Sequence, residues 1–524
     1  MSSIAGALPP PPALRSAHFK RNFVVASAMA AMFMQTLDQT IANVALPNMQ
    51  GSLSASRDQI TWVLTSYIMA SAIMTAPIGW LASRFGKRRL IFIAVAGFTV
   101  SSALCGAAQT LEQMILFRLL QGAFGAALGP LSQTIMIDMF PPERRGSVMG
   151  IWGMGVMLGP ILGPTLGGIL TDSFNWRWVF YINVPVGIAA AVGLALFYED
   201  ASSDRTMRFD WFGFTLLALG LGGLQLMLDR GTGLGWFNST EIVIEAILAV
   251  LGLYLFVVHM VTANSPFIRM EIFKDRNFVS ALLLMFVTGG LLVASSALLG
   301  PFLQTLGGYS VTDAGLLMVP RGLGTMMAMA IVGRLAMRFD PRVIITLGAV
   351  TLLWTSWEMS QWTPAVSEWT ICWVGFVQGF GTGFIFVPVN LVAFSTISAQ
   401  LRTDASAIMN LMRNIGAAIF VSVTTTVLGA SVQIVHSEMA GNITPFNRAL
   451  EVNAPSMMLN PNMPMGLQQL DLMINREALQ IAYANDFLFM FYASLPVLLF
   501  IWLMRRPQLP GQVPPKPEEL HPAE

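Results

Sequence analysis

Fourteen times along the chain a run of about 18 or more mostly apolar residues recurs, each long enough to cross the ~30 Å of bilayer hydrocarbon as an α-helix. The runs fall at 23–47, 59–82, 90–108, 111–133, 146–171, 178–198, 211–229, 242–262, 278–304, 313–337, 343–358, 369–394, 406–431 and 484–504. The chain is therefore read in spans rather than in soluble domains, as an all-α membrane protein. Its composition agrees: 55% of residues are hydrophobic and 11% charged, against roughly 45–50% and 25% in a soluble protein.

Net charge is +1, so no basic field is present to hold nucleic acid. Cys105 and Cys372 sit inside apolar runs without the spacing of a metal site or a disulfide framework, and are expected to pack as small apolar residues. His18, His259, His436 and His521 are scattered. There is no HExxH, GxSxG or GxxxxGK[ST], so neither a metal, a hydrolase nor an ATP-driven motor is expected, and no cofactor. The Pro-rich start, with Pro9 to Pro12 in a row, reads as a short tail rather than a cleaved signal.

An even number of spans puts both termini on one side. Placing them in the cytoplasm leaves 21 Lys and Arg there, five outside and three within spans, which sets the orientation by the positive-inside rule. Trp176, Trp178 and Trp236 near outer ends read as interfacial belt residues. Residues 432–483 form the one sizeable outer segment, either a solvated loop or a docking surface. Its second half, 466–484, spaces Leu467, Leu470, Met473 and Ile474 as a helix leading into the last span.

The chain also repeats. Arg21-Asn22-Phe23-Val24 returns as Arg276-Asn277-Phe278-Val279, and the stretch 79–88 returns at 333–342 with six of ten residues identical. Gln121-Gly122 likewise meets Gln378-Gly379. These offsets of 254–257 imply a bundle at 23–198 and a second at 278–504, the latter including the outer loop 432–483. Between them, 199–277 carries two additional spans, and 1–22 and 505–524 are cytoplasmic tails. Parallel six-helix halves resemble the major facilitator transporters, whose substrate site lies between the halves and opens alternately to either side.

A charge at the centre of a span costs about 2.5–3.5 kcal/mol on insertion scales, which singles out Asp38, Arg118, Arg321 and Arg413. Gln35, Asp38, Gln39 and Asn43 form a polar stripe on one face of the first span, which must line a wet interior. Asp38 and Arg118 enter the membrane to similar depths and could meet. The functional reading makes Asp38 a proton carrier, its affinity set jointly by burial and by a guanidinium that stays charged. The alternative is an ion pair that only fixes helix packing. By the repeat, Asp38 aligns with Val293 and Arg118 with Gly375, so the pair exists in one half alone. Gln35, Gln39, Asn43, Arg321 and Arg413 are the candidate substrate-cavity residues.

On the fifth span Gly155, Gly159, Gly163 and Gly167 recur every four residues, with Pro160, Pro164 and Gly168 interleaved. Such a stripe lets another helix approach closely, which suits either a seal between the halves or ordinary tight packing. The loop after the second span holds Arg84, Lys87, Arg88 and Arg89, either a topology signal or a gate.

With these residues in view the sequence resembles the fourteen-helix drug:proton antiporters of EmrB/QacA type within the major facilitator superfamily, over nearly the whole chain. The resemblance rests on 37–47 (Leu-Asp-Gln-Thr-Ile-Ala-Asn-Val-Ala-Leu-Pro), on Arg118-Leu-Leu-Gln-Gly122, on the glycine-rich 155–168, on 176–187, and on Leu228-Asp-Arg-Gly231 followed by Trp236-Phe237. It implies proton coupling through Arg118, an antiporter motif in Gly155, Gly159, Pro160, Gly163, Pro164, Gly167 and Gly168, and a cytoplasmic gating loop at Gly79, Arg84, Gly86 and Arg88. That loop departs from the family pattern, because Ser83 stands where an aspartate is expected. In a Gram-negative host it further implies an inner-membrane location, with an EmrA-like periplasmic adaptor and a TolC-like outer-membrane channel as partners.

The expected activity is efflux of lipophilic or amphipathic compounds in exchange for protons, by alternating access. Export of an endogenous metabolite, lipid or siderophore is the alternative on the same fold. An enzyme would need a nucleophile, base or metal set inside the spans, and none is visible; a channel would need no repeat with an asymmetric titratable pair.

Overall fold

The computed structural model describes residues 12–199, 208–263, 266–336, 338–443 and 463–504. The remaining parts of both tails, and most of the Asn/Pro/Met-rich centre of the outer loop, lie outside the described residues. Among the described residues the chain is helical throughout. The helices are α1 Pro12–Ser52, α2 Arg57–Ile60, α3 Trp62–Thr75, α4 Ile78–Phe85, α5 Lys87–Ala107, α6 Leu111–Gly125, α7 Leu128–Asp138, α8 Arg145–Ser173, α9 Trp178–Tyr181 and α10 Asn183–Phe197. They continue as α11 Trp211–Arg230, α12 Thr240–Thr262, α13 Arg276–Thr305, α14 Val311–Leu335, α15 Pro341–Ser360, α16 Glu368–Ser395, α17 Arg402–Gly441, α18 Pro464–Ser494 and α19 Pro496–Leu503.

Short polar side chains start many of these helices, because they can accept from backbone N–H groups that have no partner within the helix. Thr110, Asp210, Asp275, Ser310 and Ser367 cap α6, α11, α13, α14 and α16 in this way. Asp340 does the same for α15 with Pro341 in its first turn. Between α4 and α5, Gly86 takes φ 85°, a left-handed conformation that lets the chain reverse at the basic loop.

Among the described residues twelve helical segments are long and apolar enough to cross a membrane, and the pair α3 and α4, bent by 58° at their junction, makes a thirteenth if it is one span. The other expected span is α1, a 41-residue helix whose apolar run is interrupted by Gln35, Asp38, Gln39 and Asn43. It begins at Pro12, within the segment expected to be tail. The helix expected at 466–484 is present and runs from Pro464 to Ser494.

Packing follows the repeat. In the first half α1 packs on α8 and α10, α3 on α6, and α5 on α6 and α10. In the second, α13 packs on α17 and α18, α14 on α16, and α15 on α16 and α18. The additional spans α11 and α12 pair with each other, and α11 docks on α3 and α17. Asp229 of α11 accepts from Thr65, and Ser422 of α17 donates to the Leu228 carbonyl at 2.9 Å. The halves meet along α8 and α14 and where α17 reaches α3, α4 and α7. Of the expected belt tryptophans, Trp178 is exposed, whereas Trp176 is buried against Phe180.

Candidate functional site

Asp38 and Arg118 meet. Both are fully buried, and Arg118 Nη1 donates to Asp38 Oδ2 at 2.7 Å. The other carboxylate oxygen accepts from Gln121 Nε2 at 2.8 Å and Asn183 Nδ2 at 3.0 Å. Arg118 is fixed in turn by Gln121 Oε1 at 2.8 Å, by the Val63 carbonyl at 3.0 Å, and by the Tyr67 ring 4.2 Å beneath its guanidinium. Asn183 also donates to Ser102 Oγ, which donates to the Phe180 carbonyl. Cys105, a free thiol in an apolar span as expected, donates to Gln121 Oε1 at 3.4 Å. Five helices, α1, α3, α5, α6 and α10, therefore converge on one carboxylate. Charge-assisted hydrogen bonds of this kind offset the desolvation of an ionised group, and here three donors converge on the Asp38 carboxylate.

Gln35, Gln39 and Arg413 line a common space. Two small cavities adjoin at Asn410 and Arg413. The larger is walled by Gln35, Gln39, Ser71 and Thr75 from the first half and by Asn410, Arg413 and Asn414 from the second. The smaller is walled by Gln133, Trp152, Phe386 and Asn390, with the Trp152 and Phe386 rings stacked 6.0 Å apart. Among the described residues no hydrogen bond or ion pair holds the Arg413 guanidinium.

Asn43 is exposed one turn beyond Gln39 and lines neither cavity. Arg321 also lies off both cavities. Its guanidinium turns to α13, donating to Ser296 Oγ at 3.1 Å, the Leu292 carbonyl at 3.0 Å and Ser295 Oγ at 2.5 Å. Its position one helix away from the cavity wall makes it a tie between α14 and α13.

The glycine stripe packs within its own half. A Cβ on Gly159 or Gly163 would overlap Thr36 or Thr40 of α1, and Thr40 Oγ1 donates to the Gly159 carbonyl at 3.1 Å. The expected seal between halves is instead made by another face of α8, where Gly150 lies against the Met329 backbone and Gly146 against Gly333 of α14. At 100° per residue the two faces are on roughly opposite sides of α8, so the helix is held between α1 and α14. Pro160 lies in the same helix, Pro164 is placed by its backbone alone, and a Cβ on Gly168 would meet nothing within 4 Å.

The basic end of the bundle is closed. Gln133 of α7 donates to Asn390 Oδ1 of α16 at 2.6 Å and accepts from Ser406 Oγ of α17 at 2.5 Å, all three buried. Below them Asp138 accepts from Lys87 at 2.6 Å and from Arg402 at 2.7 Å, joining the loop of the first half to the start of α17. Gly79 leaves just the space that the Asp404 side chain fills, and Arg88 donates to the Ala195 carbonyl at 2.6 Å. Arg84 lies in the last turn of α4, two residues before the turn at Gly86.

Sequence reasoning did not single out Asn183, Tyr67, Gln133, Asn390, Asp138 or Arg402. Each is one polar residue in or at the end of an otherwise apolar run, and a single polar residue in a run does not name its partner on another helix.

The sequence signature of the Major Facilitator Superfamily matches residues 28–421. The chain is similar to the multidrug export protein EmrB of Escherichia coli (strain K12), 36% identical over 423 residues that cover 80% of this chain and 82% of that one. It is similar also to the fatty acid resistance protein FarB of Neisseria gonorrhoeae, 34% identical over 434 residues, 82% and 85% of the two chains. Among solved structures its fold resembles the human organic anion transporter MFSD10 (TETRAN), with a TM-score of 0.57 and 14% identity over 93% of this chain and all of that one.

Proposed function

The chain belongs to the major facilitator superfamily, as an efflux transporter and not an enzyme, and from that premise we propose that it exports lipophilic or amphipathic compounds in exchange for protons. One observation carries the reading. Asp38, buried under three donors, sits on the same helix as Gln35 and Gln39, which face the cavity between the halves. Protonating Asp38 removes its charge and weakens its bonds to Arg118, Gln121 and Asn183. That frees α1 to move against α6 and α10, and with it one wall of the cavity. The conformation described, with the basic end closed, Gln39 exposed at the cavity and Asn43 exposed beyond it, is the outward-facing state.

The basic end is the cytoplasmic one on this reading, and both termini lie there. Residues 23–198 and 278–504 are the two moving bodies, with 199–277 inserted between them. One proton falling through 100 mV supplies about 2.3 kcal/mol, and each pH unit adds about 1.36 kcal/mol. One proton therefore sustains a gradient of a neutral substrate of roughly fiftyfold from the potential alone and several hundredfold with one pH unit added.

At the outer end α17, of 40 residues, and α18, of 31, would be about 60 and 46 Å long at 1.5 Å per residue, more than the bilayer requires. They pack together, with His436 and Asp471 3.0 Å apart. This projecting hairpin, which displays Ile434, Met465, Leu472 and Met473, is the docking surface for an EmrA-like adaptor leading to a TolC-like channel.

A second reading, export of an endogenous lipid or metabolite, is favoured by one observation. An unpaired guanidinium, Arg413, faces the cavity and suits an anionic amphiphile, and a relative is named for fatty acid resistance. Purified protein in vesicles containing a pH-sensitive dye separates the cases. Under an imposed proton gradient, lipophilic cations and weak acids are added in turn. Substrate-triggered proton movement that is lost in a normally inserted Asp38→Asn variant supports antiport, and substrate movement indifferent to that change sinks it.

A further inference from the structure

Asp486 is the opposite of Asp38. It lies on α18 in the second half, is fully buried, and neither of its carboxylate oxygens has a hydrogen-bond partner. On its own helix Tyr483, one turn before it, and Phe487, next to it, pack with Phe302 of α13 and Trp362 beyond the end of α15 at 5.4–6.4 Å between ring centroids. The Trp362 Nε1 is also buried without a partner. Of the titratable groups near it, Tyr483 faces Asp486 from one turn before. Of the charged groups on the helices packed against α18, Glu358 of α15 and Arg413 and His436 of α17 included, none is hydrogen-bonded to it.

An ionised carboxylate buried with no donor costs several kcal/mol, whereas the neutral acid costs far less. A well-packed apolar side chain in this place would be at least as stable as the acid, so packing alone does not explain an aspartate here. We propose that Asp486 is a second proton-binding site, occupied in the conformation in which Asp38 is empty. The proton enters from the outer water when α18 parts from α13 and α15, binds a carboxylate oxygen, and is released from that oxygen to the cytoplasmic side in the inward-facing state. The two sites lie one in each half. Together they make the transported charge depend on both halves moving.

The inference rests on the proton-antiport reading, and two measurements keep the two apart. Infrared spectroscopy of the purified protein reads the carbonyl stretch of neutral carboxylic acids directly. At neutral pH the wild type is expected to show a component that Asp486→Asn and Asp486→Leu lack and Asp38→Asn retains; a spectrum unchanged by the Asp486 substitutions overturns the proposal. In vesicles, with laurate and ethidium as anionic and cationic probes, the proton-to-substrate ratio is expected to fall by one in Asp486→Asn and to be kept in Asp486→Glu. An unaltered ratio in Asp486→Asn, with Asp38→Asn uncoupled, overturns the second site alone. Coupling intact in Asp38→Asn sinks the antiport reading instead.

Discussion

Arg321 and Gly375 are neighbours across α14 and α16: a Cβ on Gly375 would lie 3.7 Å from the Arg321 Cβ. Gly375 is the repeat counterpart of Arg118, so the second half keeps a buried guanidinium at the corresponding place, carried by the adjacent helix. What it lacks is the carboxylate. The counterpart of Asp38 is Val293, and Arg321 bonds Leu292, Ser295 and Ser296 on either side of it. A guanidinium held only by neutral oxygens ties helices together without creating a titratable pair.

The two arginines should therefore respond differently to removal. Arg118→Met strands the Asp38 charge in a buried site, an expected loss of about 3–5 kcal/mol. Arg321→Met leaves only neutral acceptors unpaired, with an expected loss of about 1–3 kcal/mol. Thermal unfolding in detergent checks the order, and adding Asp38→Asn to Arg118→Met should recover much of the loss.

Within the glycine-rich motif of α8, position decides the outcome. Gly163→Ala forces a methyl into Thr40 and should destabilise by about 1–3 kcal/mol. Gly168→Ala meets open space and should be neutral or gain up to about 1 kcal/mol from helix propensity. Equal melting temperatures for the two variants would contradict the packing of α8 on α1.

Closure of the basic end is carried more by the buried amide than by the ionic cluster below it. Exposed ion pairs contribute about 0.2–1 kcal/mol each, so Asp138→Asn should raise access to the cavity from that side by only a few-fold. Gln133→Leu leaves Asn390 and Ser406 unpaired in a buried site, at about 1–3 kcal/mol, and should raise access by tenfold or more. The readout is labelling of Asn414→Cys by an impermeant maleimide, with Cys105 and Cys372 replaced by Ala. A larger effect for Asp138→Asn would reverse the assignment.

Arg413 should set charge preference. Hydrogen bonds to charged groups contribute about 1.5–3 kcal/mol, so Arg413→Ala should weaken transport of an anionic amphiphile by roughly tenfold to a hundredfold. A cationic substrate should be little affected or improved. Competition between laurate and ethidium in vesicles measures the ratio, and equal losses for both would remove Arg413 from substrate recognition.

Most of the architecture is legible in the sequence. Apolar run length is set by bilayer thickness, so the spans could be read off. The repeat at a near-constant offset reflects two halves with the same packing scheme, and the five helix pairs of one half recur in the other. Asp38, Arg118 and the α1 stripe stood out because a charge in hydrocarbon is costly wherever it points. The sequence also marked the glycines of α8 as a close-packing surface, since their four-residue spacing already defines one helical face.

What tertiary structure alone decided is which partner each face meets. Helical periodicity orients a side chain around its own axis but says nothing of the neighbouring helix. The glycine stripe therefore turned out to pack on α1, with a different face of α8 meeting α14. Depth likewise did not tell Arg413, which faces the cavity, from Arg321, which is tied to α13. Asp486 escaped notice because it lies two residues inside the expected start of the last span, where a carboxylate would ordinarily reach water. The long helix α18 and the aromatic rings packed around it remove that water, and burial of this kind is a property of assembled helices, not of any one of them.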